Sequence, residues 1–270
     1  MSGIAWDHVN AFPTYESYVN QFKKYLSSIS EGGRLIYSAD DDVVQKLISE
    51  TPEGIIKTPF CHHPYEVFDN RTYLKISGGR LPIHLFGKHN MHNIAGALKL
   101  CQYLKISEED FYKALKTFKG SSKHLQLIGK CKTVNVYLDF AHTPAKLNAT
   151  IKAIREQYDK RELIVCLELH KSSILNDDFL NQYKSSMTLA DEKIVYYNPE
   201  EIKGEGKITK KRIREAFGSS LLKVYTNVED VKSELYLMDW TQKNLLLMSS
   251  SNFSGLNFKK IAKKIEAISY

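Results

Sequence analysis

A chain of 270 residues, 43% hydrophobic, can bury a substantial core and is long for one ordinary domain, so two units are expected. Its formal charge of +7 is modest. The lysines of residues 207–217 and 259–268 alternate with apolar residues at helical spacing, which describes solvated helix faces. Zinc-finger and RNA-binding aromatic motifs are absent, so no nucleic-acid partner is expected. The four cysteines (Cys61, Cys101, Cys131, Cys166) lack CxxC spacing, which argues against a zinc ribbon or a disulfide framework and fits a reducing cytoplasm. No apolar run is long enough to span a bilayer and the first ten residues lack a signal-peptide pattern, so a soluble chain without a membrane partner is expected.

Residues 14–29 place Tyr18, Phe22, Tyr25 and Leu26 on one stripe behind Thr14 and Glu16, predicting an amphipathic helix that ends at EGGR. RLIYS (34–38) predicts a strand, and DDVVQKLIS (41–49) a helix closed by TPEG. Between 57 and 86 the alternating stretches YEVF, TYLKIS and LPIHLF, joined by DN and GG, predict hairpins. Two helices follow in NIAGALKLCQYLKIS (93–107) and EEDFYKALKTF (108–118), the second N-capped by Ser107, and FKGSS then makes a hinge. Beyond residue 130, TVNVYLDF, ELIVCLEL, EKIVYY, LKVYT and NLLLMSS are short apolar runs separated by helical segments. The expected class is α/β: a doubly wound, mostly parallel Rossmann-like sheet, preceded by a mixed unit with hairpins.

Three constellations carry chemistry. In YLDFAHTPAKL (137–147), Thr143-Pro144 is a helix start with Thr as N-cap and Pro at the first helical position, so Asp139 and His142 fall at the carboxyl end of a strand. Ligands of open α/β sheets bind there. Asp139 then accepts from ribose hydroxyls while His142 and Thr143 meet phosphate or an acyl intermediate; alternatively, Asp139 and Thr143 only cap the turn and His142 fills a gap. In GKHNMHN (87–93), Asn90 and Asn93 share a helix face, and an amide's paired donor and acceptor match adenine, although on these residues alone two ordinary capping asparagines are the better account. In WDHVNAFPT, Asp7-His8 offers a metal ligand or an ordinary structural pair.

Taken in order, Asp7-His8 with Pro13, G-x-H-N-x-x-N (Gly87, His89, Asn90, Asn93), F-x-G at 118–120 and D-[YF]-A-H-[TH]-P at 139–144 resemble the Mur ligases, the ATP-dependent amide-bond-forming enzymes of peptidoglycan assembly. CLELH followed by KSSIL, and LLLMSSSNFSGL, most resemble the muropeptide ligase branch, which joins a recycled L-alanyl-γ-D-glutamyl-meso-diaminopimelate tripeptide to UDP-N-acetylmuramate. The ligase adding L-alanine to the same nucleotide sugar is the alternative. The resemblance implies that residues 1–119 are the C-terminal part of a central ATP-binding domain and 120–270 a C-terminal domain. It implies ATP and Mg2+ as cofactors, with UDP-N-acetylmuramate and a peptide or amino acid as partners. By the same resemblance His8 helps hold magnesium, Asn90 and Asn93 contact adenine beside His89, Asp139 binds ribose, and His142 and Thr143 meet phosphate and the incoming amine. Residues 249–255 match a loop that closes over substrate. Lys23 stands where some branches carry a carbamylated lysine, but a solvated helix lysine is the better account.

No G-x-x-x-x-G-K-[ST] phosphate loop occurs: Gly87-Lys88, Gly129-Lys130 and Gly206-Lys207 are followed by His89, Cys131 and Ile208. The resemblance therefore implies the C-terminal portion of a ligase, inactive without its N-terminal half; a non-catalytic nucleotide-binding module is the other expectation. Lys123 and His124 replace the family's usual arginine pair after F-x-G, so His124 stands in for a nucleotide-binding guanidinium that stays charged and forks across two acceptors. Gly3 and Ser254 also depart from the pattern.

Overall fold

The computed structural model describes residues 1–202 and 208–269, so Gly206 and Lys207 lie outside the described residues. Two compact units divide the chain, Met1–Lys119 and Gly120–Tyr270.

The first unit opens with α1 (Tyr15–Ser27), started by a reciprocal cap in which the Ser17 amide donates to Thr14 Oγ1 at 3.1 Å and the Thr14 amide to Ser17 Oγ at 3.3 Å. β1 (Arg34–Ser38), α2 (Asp42–Ser49) and β2 (Ile56–Phe60) follow, the strands pairing in parallel. Ile4, Leu26, Leu35, Val44, Leu47 and Ile48 form their shared core. β3 (Tyr65–Phe68), β4 (Arg71–Ile76) and β5 (Gly79–Ile83) make an antiparallel meander. Asp69 and Asn70 both take positive φ (51° and 56°) in the first hairpin, the backbone of a two-residue turn matched to strand twist. α3 (Lys88–Tyr103) and α4 (Glu108–Leu115) pack Met91, Ile94 and Leu115 against Leu74 of the meander.

The second unit runs β6 (Gln126–Lys130), β7 (Val134–Asp139), α5 (Pro144–Gln157), β8 (Glu162–Glu168), α6 (Lys171–Ile174), α7 (Asp177–Asn181), β9 (Glu192–Tyr196), α8 (Lys210–Phe217), β10 (Lys223–Tyr225), α9 (Val228–Leu237), β11 (Lys243–Met248) and α10 (Phe258–Ile268). The sheet order is β10-β9-β8-β11-β7-β6, and every pairing is parallel except β6 with β7. β7 is buried at every position and β8 and β11 at all but their first, as expected of parallel strands covered on both faces. Val136, Leu138, Ile164, Cys166, Leu245 and Leu247 meet Val231 and Leu235 of α9, Trp240 just beyond it, and Ile261 and Ile265 of α10. Leu147, Ile151 and Ile154 of α5 are also buried, and α5 contacts β8.

The expected largely parallel α/β architecture is present, with two strands added. β2 carries Lys57 and Pro59 and has little apolar alternation of its own; pairing with β1 makes it a strand. β6 is an antiparallel edge with a bulge between Leu127 and Gly129 and gains its order from β7 and α10. α3 begins at Lys88, five residues earlier than its apolar stripe predicts, because Gly87 (φ 86°, ψ 143°) supplies the sharp entry.

Candidate functional site

In the first unit, the glycine-led start of α3 sets out the expected nucleotide residues. Asn90 and Asn93 lie one turn apart on this helix. Asn90 Nδ2 donates to the Phe86 carbonyl at 2.8 Å, which commits one of its donors, whereas Asn93 is exposed. His89 is half-buried. His8 is exposed in a left-handed conformation (φ 52°), and its amide donates to Oδ1 of buried Asp7 at 2.6 Å. The Asp7 carboxylate thus organises the turn that displays His8. Among the described residues no group of three or more His, Cys, Asp or Glu side chains gathers as metal ligands. His8 therefore fits magnesium only as a single contributor to a shell completed by phosphate oxygens and water, the usual manner of that ion. Lys23 pairs with Glu50 at 2.9 Å on the surface, as a solvated helix lysine does.

In the second unit, the carboxyl ends of β7, β11 and β8 lie side by side and gather polar groups. Asp139 closes β7, 4% exposed; its Oδ1 accepts from the Ala141 amide at 2.9 Å and its Oδ2 from Thr150 Oγ1 at 2.8 Å. The carboxylate thereby fastens the turn to the second helical turn of α5. Thr143 occupies the N-cap position of α5 ahead of Pro144, but its buried side chain makes no capping hydrogen bond, so the cap expected there is one of position only. His142 is half-buried, with Nδ1 3.1 Å from the Phe140 carbonyl, and its own carbonyl accepts from the Tyr183 hydroxyl. The His142 ring meets that of His170 edge to face, centroids 5.8 Å apart. His170 Nε2 is buried without a hydrogen-bond partner.

The turn at 121–124 is held against the end of β7 by the Phe140 amide, which donates to the Lys123 carbonyl at 2.7 Å; Lys123 Nζ stands 5.1 Å from the Phe140 ring centroid. His124 follows, exposed.

Two residues of this cluster escaped sequence reasoning. Glu168 lies near the end of the apolar run ELIVCLEL and His170 directly follows it; the available signal is a polar side chain at the carboxyl end of a strand otherwise apolar there. Glu168 is 3% exposed and accepts from the Ser249 hydroxyl and, at 2.9 Å, from the Phe253 amide.

A doubly wound sheet with polar side chains converging at the carboxyl ends of adjacent strands is the arrangement of α/β proteins that bind ligands in that crevice. Comparison with known proteins specifies the class: residues 1–101 match the Mur ligase middle domain and residues 125–252 the Mur ligase glutamate ligase domain. The chain belongs to the Mur ligase family and carries its middle and C-terminal domains. It is 27% identical over 201 residues to a UDP-N-acetylmuramate–L-alanine ligase of Caldicellulosiruptor bescii, a match taking in 70% of this chain and 44% of that one. The chain thus spans less than half the length of the curated relatives it matches. Among solved structures, a murein peptide ligase from Psychrobacter arcticus superimposes with a TM-score of 0.62 at 18% identity, covering 100% of this chain and 57% of that one. A MurF ligase from Thermotoga maritima in complex with ADP gives 0.68 at 14% identity, covering 96% and 59%. At these identities the structures establish the shared fold. No helix among the described residues is long and apolar enough to cross a membrane.

Proposed function

We propose that the chain is the middle and C-terminal portion of an ATP-dependent ligase that forms an amide bond on UDP-N-acetylmuramate, working in the cytoplasm with the N-terminal half of such an enzyme. The observation that carries this reading is the His142–His170 pair at the carboxyl end of the parallel sheet, inside the segment matching the glutamate ligase domain. The names of the curated relatives favour L-alanine as the amine. The recycled tripeptide is the second reading, favoured by the CLELH–KSSIL and SSSNFSGL stretches. The free cysteines are in keeping with a reducing compartment.

In this chemistry the sugar's carboxylate oxygen attacks the γ-phosphorus of ATP and ADP leaves, giving an acyl phosphate. The amine nitrogen then attacks the acyl carbon, phosphate departs and the nitrogen sheds a proton. A neutral imidazole nitrogen can accept that proton, the role assigned here to His142 and His170, with Thr143 shaping the turn beside them. Asn90, Asn93 and His89 face the nucleotide base in this reading, His124 takes the place of the family's arginine toward the nucleotide, and His8 contributes to the magnesium shell. Magnesium, when bound, offsets the repulsion between the two anionic reactants. For Asp139, burial and the two internal hydrogen bonds favour the turn-holding role over direct contact with ribose.

The test combines the purified chain with a separately expressed N-terminal half bearing a G-x-x-x-x-G-K-[ST] loop. UDP-N-acetylmuramate, magnesium and ATP are supplied with L-alanine or the tripeptide, and ADP and the amide product are measured. Amine-dependent ADP release with a product of the summed mass supports the reading and names the amine. ATP binding by calorimetry without turnover on either amine replaces it with a nucleotide-binding module.

A further inference from the structure

We infer that Glu168 is a positioning residue, a buried latch that holds the loop 249–255 in a strained shape beside the His142–His170 crevice; the part played by this loop in catalysis rests on the function proposed above.

The loop leaves β11, which lies between β7 and β8, so it starts between the strand ends that carry the two histidines. Its backbone is unusual. Phe253, Ser254 and Gly255 take φ values of 47°, 52° and 99°, three consecutive left-handed residues of which only the last is glycine. There the Cβ of a non-glycine residue crowds the backbone, so two in succession persist only where surrounding contacts dictate them.

Those contacts converge on one carboxylate. Glu168 Oε2 accepts from the Ser249 hydroxyl where the loop begins and from the Phe253 amide at the first left-handed residue. Ser249 Oγ in turn accepts from the Ser251 amide at 2.8 Å. The far side is tied by the Ser254 hydroxyl, 2.8 Å from the Tyr196 hydroxyl and 3.3 Å from Asn198 Nδ2, while the fully buried Phe253 ring stacks on Tyr196. Ser251 and Asn252, between these anchors, are exposed.

Among the described residues Glu168 forms no ion pair with a cation. A carboxylate that is 3% exposed and held by neutral donors is a costly way to support a fold, because burying charge without a counter-charge opposes stability. A neutral side chain would serve packing at least as well. What the side chain supplies beyond packing is an acceptor oxygen able to take two donors at once, from the start and the bend of the loop. Glu168 also lies two residues before His170, so the anchor of the loop and the imidazole pair share the carboxyl end of β8.

The test compares Glu168→Ala and Glu168→Gln. Glutamine keeps a carbonyl oxygen that accepts, so it rescues where the latch matters, whereas alanine cannot. Backbone hydrogen exchange on the chain itself is expected to quicken at least about tenfold at Ser251 and Phe253 in the alanine variant, with β7 and β8 unchanged, and to stay within about threefold of wild type in the glutamine variant. Unchanged exchange in the alanine variant, equal loosening in the glutamine variant, or general loosening of β7 and β8 would overturn the latch. In the ligase reconstituted with its N-terminal half, alanine is expected to raise the amine KM about tenfold while leaving the ATP KM unaltered. An unmoved amine KM removes the catalytic consequence. A wild type without ligase activity whose loop still responds to Glu168→Ala keeps the latch and rejects the proposed function.

Discussion

The rings of His142 and His170 stand at 87° to one another with centroids 5.8 Å apart, one carried by the turn after β7 and the other by the turn after β8. Because β11 separates those strands, the pair bridges the end of the intervening strand. If these imidazoles take the amine's proton, His170→Ala in the reconstituted ligase lowers kcat/KM for the amine by about 10²-fold and leaves nucleotide affinity unchanged. Steady-state kinetics with the amine varied at saturating ATP provides the measurement.

Asp139 tests stability in a different way. Its two oxygens satisfy the Ala141 amide and the Thr150 hydroxyl inside the fold. Asp139→Ala strands both donors and is expected to cost about 1–3 kcal/mol, read from urea unfolding midpoints at constant m. Asp139→Asn keeps one acceptor oxygen and loses less. A cost confined to nucleotide affinity, with unfolding unmoved, would restore the ribose-binding role.

In the first unit, Asp40 carries a pH signature. The His62 side chain, Nδ1 at 2.9 Å from Asp40 Oδ2, and then the His62 amide, also at 2.9 Å, hold this carboxyl down at about 2. A carboxyl lowered in the folded state stabilises above its unfolded value and loses that contribution as pH falls through the folded value. Asp40→Asn is therefore expected to be less stable than wild type at neutral pH, with the gap closing between about pH 4 and about pH 2. Thermal unfolding of both proteins across that range gives the comparison.

Gly87 offers a test of the nucleotide contact proposed for the start of α3. Its φ of 86° with ψ of 143° belongs to a region that side chains rarely enter. Gly87→Ala is expected to destabilise the first unit by about 1–3 kcal/mol and to weaken ATP binding by the reconstituted ligase. Calorimetry separates the two effects, and normal affinity after the substitution would show that the start of α3 does not face the nucleotide.

Local patterns made much of the architecture legible. The apolar runs of β7, β8 and β11 are visible because a strand covered on both faces must be apolar at nearly every position. The Asp69-Asn70 turn was visible because few residue pairs accept two positive φ values. β2 and β6 are not legible for the converse reason: their order comes from a partner strand rather than from their own side chains.

The site divides along the same line. Sequence alone determined that Asp139, His142 and Thr143 sit between a strand and a helix, and that Asn90 and Asn93 share a helical face, since strand, cap and helix periods act over a few residues. Only the tertiary structure decided that the Asp139 carboxylate turns inward to Thr150, that His170 comes to His142, and that Glu168 reaches the bend at Phe253, 85 positions away. Those meetings depend on which strands become neighbours. The sheet order places β11 between two strands that precede it, a choice set by the packing of the whole unit and carried by no short stretch of residues.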